Sequence, residues 1–266
     1  MNEKFLVGKV VLVTGAGSGF GREMAISFAS KGANLVINDI NMEGLEETYS
    51  LVLKKYKREI LILKADVSLS NEVNEMVERV FEKYDNLFVL VNNAGIDGGL
   101  HTSLKAKEQI YDKVMAINVK GAWNMTKAFY RKMKKQKNFN PIRGKIINIA
   151  SCAGTTNGLN PMIGVYSASK AALIAFTKLW ALELGASNIT VNAISPGVFL
   201  TPIYNNDPNL IRQFLKTRGV KLPINRIGEA KWVSDIALFL ASPTSNYMTG
   251  QNIILDGGMT ISINKL

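Results

Sequence analysis

A tyrosine and a lysine four residues apart, Tyr166 and Lys170, form the pair in this sequence best suited to proton transfer. Both belong to a segment with a helical pattern, from Val165 to Gly185, so the spacing places their side chains on one helix face. An ammonium group beside a phenol favours the phenolate and lowers the pKa of the phenol from its ordinary value of about 10. Such a phenol can donate or accept a proton near neutral pH. Pairs with this spacing also arise by chance on surface helices, so the weight of this one depends on its surroundings.

Ser151 is the second candidate for chemistry. It directly follows the segment from Lys145 to Ala150, whose apolar pattern predicts a buried strand. Ligands of open α/β folds bind at the carboxyl ends of the strands. We therefore expect Ser151 to lie at that edge of a sheet.

A glycine-rich turn predicts a second function, the binding of a dinucleotide. Its sequence is T-G-A-G-S-G-F-G at positions 14–21, after the apolar run 10–13 and before a helical pattern from Phe20 to about Lys31. Glycines let the backbone approach a pyrophosphate, which is attracted by the free N–H groups and the positive dipole end of the helix. Glycine turns without a ligand are common, so the prediction depends on this strand–turn–helix context.

Asp39 indicates which dinucleotide would bind. It ends a second predicted strand, Asn34 to Asp39, where an acid can accept hydrogen bonds from the adenosine ribose and repel a 2′-phosphate. Residues 16–21 and 40–43 contain no Arg or Lys that could pair with such a phosphate. An Asp at this point could instead cap the next helix. Beside the glycine turn the ribose interpretation is favoured, and the sequence predicts NAD rather than NADP as the cofactor.

Strands and helices alternate along the chain, which predicts a Rossmann-type doubly wound α/β sheet of about seven parallel strands with helices on both faces. Beyond the first two, the predicted strands are 60–66, 87–92, 145–150, 189–194 and 252–256. The later predicted helices are 45–57, 71–84 with Ser70 as its cap, 107–135, 165–185, 210–217 and 229–241. We expect a single domain over residues 1–266, with a substrate lid near 199–227.

Composition limits the class of protein. The chain has 266 residues, 47% of them hydrophobic, which suits one globular domain with a large core. No apolar run approaches the roughly 20 residues of a membrane span, and the first residues lack the apolar region of a signal peptide. The single Cys152 and the single His101 cannot form an intrachain disulfide or a Cys/His metal cluster. These observations favour a cytoplasmic protein without a metal site or a membrane partner.

A net charge of +11, from 32 basic and 21 acidic residues, raises the question of nucleic acid. The basic residues concentrate in segments 54–58 and 131–137, near predicted helix C-terminal ends, where cations meet the negative end of the dipole. No nucleic-acid motif accompanies them. A solvated surface is therefore favoured over nucleic-acid binding.

Taken together, the motifs resemble those of the short-chain dehydrogenase/reductase family over essentially the whole chain. The segments that match in order and spacing are T-G-A-G-S-G-F-G at 14–21, Asp39, Asp66-Val67, Asn92-Asn93-Ala94-Gly95, Asn118, Ser151, Tyr166-x-x-x-Lys170, Asn192, Ser195-Pro196-Gly197 with Thr201, and Asp256-Gly257-Gly258. In one departure, the stretch from Ser151 to Tyr166 is slightly longer than usual, which enlarges a loop beside the substrate.

The resemblance implies a catalytic set of four residues. Tyr166 would exchange the proton with the substrate oxygen, and Ser151 would hydrogen-bond that oxygen. Lys170 would lower the pKa of the phenol and bind the nicotinamide ribose. Asn118 would hold a water that links Lys170 to solvent.

The resemblance also implies a cofactor site. Asp66 and the Val67 backbone would bind the adenine, Asn93 the adenosine ribose region, and Thr201 the nicotinamide carboxamide. The segment Asn93 to Gly95 can also be a simple strand-end turn. The full implied set is Gly15, Ser18, Gly19, Phe20, Gly21, Asp39, Asp66, Val67, Asn93, Ala94, Gly95, Tyr166, Lys170, Pro196, Gly197, Val198 and Thr201.

The implied activity is the NAD-dependent interconversion of a secondary alcohol and a ketone. Apolar residues of the lid and the extended loop suit an apolar or cyclic ketone or a diketone, although they could equally be core contacts: Phe199, Leu200, Ile203, Tyr204, Ile211, Phe214, Leu215, Leu159, Met162 and Ile163. An alternative is a 3-oxoacyl-(acyl-carrier-protein) reductase, since a basic protein suits an acidic carrier; Asp39 disfavours it because such reductases usually use NADPH. A non-catalytic NAD-binding module would not need the intact catalytic set.

The helix from Val165 to Leu184 carries more apolar residues than one face against the sheet requires. Family members pair the equivalent helix, and the helix after Asn118, across a two-fold axis. The resemblance thus implies a homo-oligomer, expected to be a tetramer, with residues 259–266 as a second contact.

Overall fold

Continuous apolar runs form the strands, because a parallel strand covered by helices on both sides is buried on both faces. The computed structural model of the protein describes residues 4–139, 141–158, 160–200, 207–217 and 222–262. Its strands are β1 Val10–Thr14, β2 Asn34–Asp39, β3 Ile60–Lys64, β4 Val89–Asn92, β5 Gly144–Ile149, β6 Ile189–Pro196 and β7 Asn252–Leu255.

The seven strands form one parallel sheet in the order β3-β2-β1-β4-β5-β6-β7. β1 pairs with β2 on one side and with β4 on the other. The winding of the chain therefore reverses between β1 and β4, and the carboxyl ends of these strands leave a crevice there. This arrangement confirms the predicted fold class.

Two helical layers cover the sheet. The helices are α1 Gly19–Ser30, α2 Met42–Lys55, α3 Ser70–Lys83, α4 Glu108–Met115, α5 Ala122–Met133, α6 Gly164–Gly185, α7 Pro208–Thr217 and α8 Ala230–Ala241. Val11 and Val13 of β1 pack with residues of α1, α2 and α8, whereas Val10 and Leu12 pack with residues of α3, α5 and α6. Among the helices described, none combines the length and apolar character needed to cross a membrane.

The predicted helix 107–135 is helical throughout most of its length but not regular. A π-helical turn, Ala116–Gly121, separates α4 from α5. Such a turn accommodates an extra residue within a helix and often occurs at functional sites. Here it contains Asn118, one of the candidate catalytic residues.

The prediction that Ser70 caps α3 is wrong. The helix begins at Ser70 itself, the preceding position is Leu69, and no side chain caps it. The Asp66 carboxylate accepts a hydrogen bond from the Ser68 amide at 2.8 Å, and the Leu69 amide donates to the Asp66 carbonyl at 3.1 Å. This turn carries the chain into the helix one residue earlier than the sequence pattern indicated.

Lys145 of β5 is a buried lysine outside the carboxyl edge of the sheet. Its side chain is 1% exposed, and Nζ donates to the Ser242 carbonyl at 2.9 Å and to Ser245 Oγ at 3.0 Å. Both partners are neutral. Burial, with a smaller contribution from the charge of Lys9, therefore lowers the pKa of Lys145 to about 8.

This lysine should make the protein more stable in mild alkali. Below a pH of about 8 the amine is charged in both states, and the fold bears the cost of a buried ammonium. Between that pH and about 10.4 the unfolded chain holds more protons, so stability rises with pH, by roughly 1–3 kcal/mol. We expect Lys145→Met to reduce this rise, measured by urea unfolding at two pH values on either side of 8. Lys55→Met, at an exposed lysine of α2, is the control; equal pH dependence in all three proteins would contradict the interpretation.

Candidate active site

A large cavity opens at the carboxyl edge of the sheet and has a volume of about 1240 Å³. It brings together most of the predicted site residues: Gly15, Ser18, Gly19, Phe20, Asp39, Asp66, Val67, Asn93, Ala94, Gly95, Ser151, Tyr166, Lys170, Pro196, Gly197 and Val198. Gly21 and Asn118 are buried and do not line it. Thr201 lies outside the described residues.

The glycine turn, residues 14–21, makes one wall of this cavity and depends on glycine at specific points. Gly15 and Gly19 have positive φ angles of 65° and 51°, which other residues adopt at a cost. A side chain on Gly21 would overlap the carbonyl of Gly15 and approach the Asn93 amide nitrogen to 2.7 Å. The first turn of α1 is therefore packed directly against the strand-end backbone.

Hydrogen bonds from the loop after β4 hold the start of this turn. Asn93 Nδ2 donates to the carbonyls of Thr14 and Gly15 at 2.8 and 3.1 Å. The backbone amides of Asn93 and Ala94 both donate to Thr14 Oγ1 at 3.0 Å. Both amide hydrogens of Asn93 are thus committed to the turn, which agrees with its interpretation as part of a strand-end turn. Thr14, the first residue of the motif 14–21, was not among the predicted site residues, and its hydroxyl anchors the turn.

Asp39 is held at the opposite side of the glycine turn. Its Oδ2 accepts from the Gly17 amide at 2.9 Å, and its Oδ1 accepts from the Asn41 amide at 3.0 Å. The cap of α2 is Asn41, whose side chain accepts from the Gly44 amide at 3.2 Å. Asp39 therefore does not cap the helix, and its carboxylate borders the cavity.

These residues fit a dinucleotide. The first amides of a helix lack partners within the helix, and those of α1 begin beside the cavity with no acidic residue in the first turn. The Ser18 side chain makes no capping hydrogen bond to them. A phosphate can thus bind at the α1 N-terminus, with Asp39 available to the ribose hydroxyls.

Tyr166 and Lys170 lie on the first turns of α6, as their spacing predicted. Lys170 Nζ is 5.7 Å from the centre of the Tyr166 ring and donates to the Ile149 carbonyl at 2.8 Å. The Lys170 side chain is buried, and burial lowers its pKa to about 8. Both residues line the cavity together with Ser151, which follows β5.

Ser151 begins a short 3-10 turn, Cys152–Gly154, and its Oγ accepts from the Ala153 amide at 3.2 Å. This contact fixes the hydroxyl at the carboxyl end of β5. The neighbouring Cys152 also lines the cavity, but burial raises the pKa of its thiol to about 12. Its thiol therefore stays protonated near neutral pH and is a weak nucleophile.

Asn118 connects the loop after β4 to α6. Its Oδ1 accepts from the Ile96 amide at 2.9 Å, and its Nδ2 donates to the Ile96 carbonyl at 2.8 Å and to Ser169 Oγ at 3.0 Å. A Cβ on Gly95 would lie 3.1 Å from Asn118 Oδ1 and 3.3 Å from Lys170 Nζ. The π-helical turn thus brings Asn118 close to the same face of Gly95 that Lys170 approaches.

The substrate end of the cavity agrees with the predicted lining in part. Met162, Ile163, Phe199 and Leu215 line it, whereas Leu200 and Ile211 pack in a cluster with Val198 and do not. The core-contact alternative is therefore correct for Leu200 and Ile211. Leu159, Ile203 and Tyr204 lie outside the described residues, as does the Phe214 side chain.

One wall of the cavity was not expected from the sequence. The Asp256 carboxylate accepts from the amides of Gly258 and Thr260 at 2.9 and 2.7 Å and shapes the turn Met259–Ile261. Met259, Thr260 and Ser262 line the cavity. The predicted subunit contact through residues 259–266 stays a prediction. The sequence signal for this turn is Asp256 followed by two glycines.

Comparison with known proteins matches nearly the whole chain. A family described as enoyl-(acyl carrier protein) reductase matches residues 15–260. The 3-oxoacyl-(acyl-carrier-protein) reductase FabG of Thermotoga maritima is 40% identical over 96% of this chain and 99% of its own length. Levodione reductase has a TM-score of 0.88 at 30% identity, covering 97% of this chain and 100% of its own. The 3-ketoacyl-(acyl-carrier-protein) reductase of Brucella melitensis, solved with NADH, has a TM-score of 0.84 at 30% identity, covering 96% and 99%.

The doubly wound sheet, with a glycine turn and a tyrosine–lysine pair at one crevice, defines a Rossmann-type oxidoreductase. The chain belongs to the short-chain dehydrogenase/reductase family. This assignment confirms the resemblance drawn from the sequence motifs.

The packing of Gly21 yields a direct test of the glycine turn. Although alanine is favoured over glycine in a helix by about 1 kcal/mol, Gly21→Ala would push α1 away from Gly15. We expect affinity for NADH, measured by fluorescence titration, to fall at least tenfold, or about 1.4 kcal/mol. Gly185→Ala in α6 is the matched control, since its Cβ meets nothing within 4 Å. Binding of NADH by Gly21→Ala with wild-type affinity would contradict the role of the turn.

Proposed function

We propose that this protein is an NAD(H)-dependent oxidoreductase that interconverts a secondary alcohol and a ketone. The observation that carries the proposal is a single cavity with the Tyr166–Lys170 pair and Ser151 at one end and the glycine turn with Asp39 at the other. A proton-transfer group and a dinucleotide site thus share one cavity.

When bound, the nicotinamide supplies or accepts the hydride. Tyr166 donates its proton to the carbonyl oxygen in reduction and, as the phenolate, takes the hydroxyl proton in oxidation. Ser151 donates a hydrogen bond to the same oxygen. The Lys170 ammonium, 5.7 Å from the Tyr166 ring centre, stabilises the phenolate, and Asn118 holds the water that returns protons from solvent.

The cavity supports an uncharged substrate. Of the described residues that line it, Lys170 alone carries a basic side chain, so a carboxylate or phosphate on the substrate would have no second cationic partner among these residues. Apolar side chains predominate at the substrate end: Ile96, Leu100, Met162, Ile163, Leu215 and Met259. We infer an apolar or cyclic ketone or diketone as the substrate. The predicted lid near 199–227 lies partly outside the described residues and stays a prediction.

A 3-oxoacyl-(acyl-carrier-protein) reductase is the second candidate function. The 40% identity to the Thermotoga maritima FabG favours it. The net charge of +11, with exposed basic residues along α5 such as Lys127 and Arg131, suits an acidic carrier. Asp39 disfavours it because NADPH carries a 2′-phosphate.

The proposal includes a homotetramer. Leu179 and Leu182 of α6 are 50% and 81% exposed, and Trp123 of α5 is 37% exposed. A second copy packed on α5 and α6 would cover these apolar side chains.

Substrate panels with the wild type and Tyr166→Phe test the reaction. The wild type should reduce uncharged ketones with NADH and oxidise the matching alcohols, faster than it reduces 3-oxoacyl thioesters of pantetheine. Tyr166→Phe removes only the hydroxyl, so kcat should fall by about 10²–10⁴-fold while NADH affinity is retained. Tyr111→Phe, at an exposed tyrosine of α4, is the control. Near-normal turnover by Tyr166→Phe would show that another group carries the proton, and faster thioester reduction would favour the second candidate.

Cofactor selectivity tests the role of Asp39. Repulsion between its carboxylate and a 2′-phosphate should cost on the order of 1–3 kcal/mol, so kcat/KM should favour NADH over NADPH at least tenfold. The double variant Asp39→Ala with Ile40→Arg should shift this preference toward NADPH, since Ile40 is exposed and borders the cavity. The measurement is kcat/KM with each cofactor, and equal efficiency of the wild type with both would refute the NAD assignment.

A further inference from the structure

Two side chains hold the glycine turn from the side away from the cavity. Arg22 of α1 donates from Nη2 to the Gly17 carbonyl and from Nε to Thr48 Oγ1 at 3.1 Å. Thr48 of α2 is fully buried, and its Oγ1 lies 2.8 Å from the Ala16 carbonyl and 3.0 Å from the Gly44 carbonyl, so its one hydroxyl hydrogen serves these two acceptors. The carbonyls of Ala16 and Gly17 are therefore both bound by side chains. Arg22 and Thr48 do not line the cavity, whereas Gly15, Ser18 and Gly19 of the turn do.

The contact between this turn and α2 is close. A Cβ on Gly44 would lie 2.8 Å from the Gly17 carbonyl oxygen and 3.1 Å from the Gly17 Cα. Glu47 pairs with Arg22 Nη2 at 2.6 Å from the next turn of α2. We call Arg22, Gly44, Glu47 and Thr48 the α1–α2 brace.

The brace connects to the ribose-binding carboxylate through Gly17. The Gly17 amide donates to Asp39 Oδ2 at 2.9 Å, and a Cβ on Gly17 would lie equally close to that oxygen. Gly17 is thus fixed at its carbonyl by Arg22 and at its amide by Asp39. A shift of Gly17 would move both the turn and the Asp39 carboxylate.

The brace also explains why a cation next to the turn does not conflict with NAD. Arg22 directly follows Gly21 and could in principle pair with a 2′-phosphate. Its Nε and Nη2 groups instead bind Thr48, the Gly17 carbonyl and the Glu47 carboxylate. Arg22 can therefore affect a bound cofactor through the position of the Gly17 backbone rather than by pairing its charge with a phosphate.

We propose that Arg22 and Thr48 are positioning residues for the adenosine half of the cofactor. They fix Gly17 and, through it, the Asp39 carboxylate, so they set both the affinity for adenosine diphosphate ribose and the discrimination against a 2′-phosphate. This inference rests on the proposed function, because it assumes that the cavity binds NAD(H).

Calorimetric binding of ADP-ribose and of 2′-phospho-ADP-ribose tests the inference on the full chain. Arg22→Met keeps the aliphatic stem, and Thr48→Val keeps the shape without the hydroxyl. Each should weaken ADP-ribose about tenfold, as expected for loss of a hydrogen bond that leaves a buried partner unsatisfied. Thr48→Val changes no charge, and in this variant the preference for ADP-ribose over 2′-phospho-ADP-ribose should also fall. KM for NADH should rise while kcat at saturation stays unchanged, and Arg22→Lys should recover part of the loss.

Lys54→Met is the control for charge, since it removes an exposed cation from α2 outside the brace. Unchanged ADP-ribose affinity in both Arg22→Met and Thr48→Val would overturn the proposal. A parallel loss of kcat, thermal stability and ADP-ribose affinity would also overturn the proposal, because it would indicate that the substitution disturbs the fold as a whole. A wild type that binds neither NADH nor ADP-ribose would instead refute the proposed function itself.

Discussion

The hydroxyl of Thr14 joins the two halves of the candidate site. It accepts hydrogen bonds from the amides of Asn93 and Ala94 and donates to the Val91 carbonyl at 3.2 Å. These contacts cross the point between β1 and β4 where the sheet reverses its winding, so the glycine turn and the loop that carries Gly95 keep one spacing. Without them the dinucleotide end and the proton-transfer end could drift apart, and distance errors of about 1 Å are costly in catalysis.

A second constraint orients the catalytic end. The Asn118 side chain donates to the Ile96 carbonyl and to Ser169 Oγ and accepts from the Ile96 amide. These hydrogen bonds connect the loop after β4 to α6. Lys170 follows Ser169 directly, and its amine is buried against the Ile149 carbonyl. The desolvation that lowers the pKa of Lys170 to about 8 is the cost of placing a cation beside Tyr166 in a closed space. The π-helical turn and the depressed pKa are thus parts of one arrangement.

The sequence predicted the fold and most of the cavity wall well, for a physical reason. Runs such as 10–13 and 87–92 are apolar because parallel strands are covered on both faces, so local pattern alone identifies them. The motif residues then follow at strand ends, which the topology brings to one edge. The α1–α2 brace depends on contacts between residues distant in sequence, and the Asp256 turn depends on backbone amides that donate to one carboxylate. Neither kind of contact is visible in the apolar pattern of the sequence. The prediction that Ser70 caps α3 was wrong because the Asp66 side chain forms a turn that starts the helix at Ser70 itself. The apolar periodicity of the helix does not show this turn.

The turn Met259–Ile261 has a consequence for how such an enzyme changes over time. It forms part of the substrate wall, yet its shape depends on one carboxylate, Asp256, and two amides of the same short segment. The residues that we propose for proton transfer belong to other elements, on α6 and after β5. Exchange of side chains at Met259, Thr260 and Ser262 can therefore alter the shape of the cavity without disturbing the chemistry. Substrate range and reaction type are physically separable in this molecule, so the former can diverge while the latter is preserved.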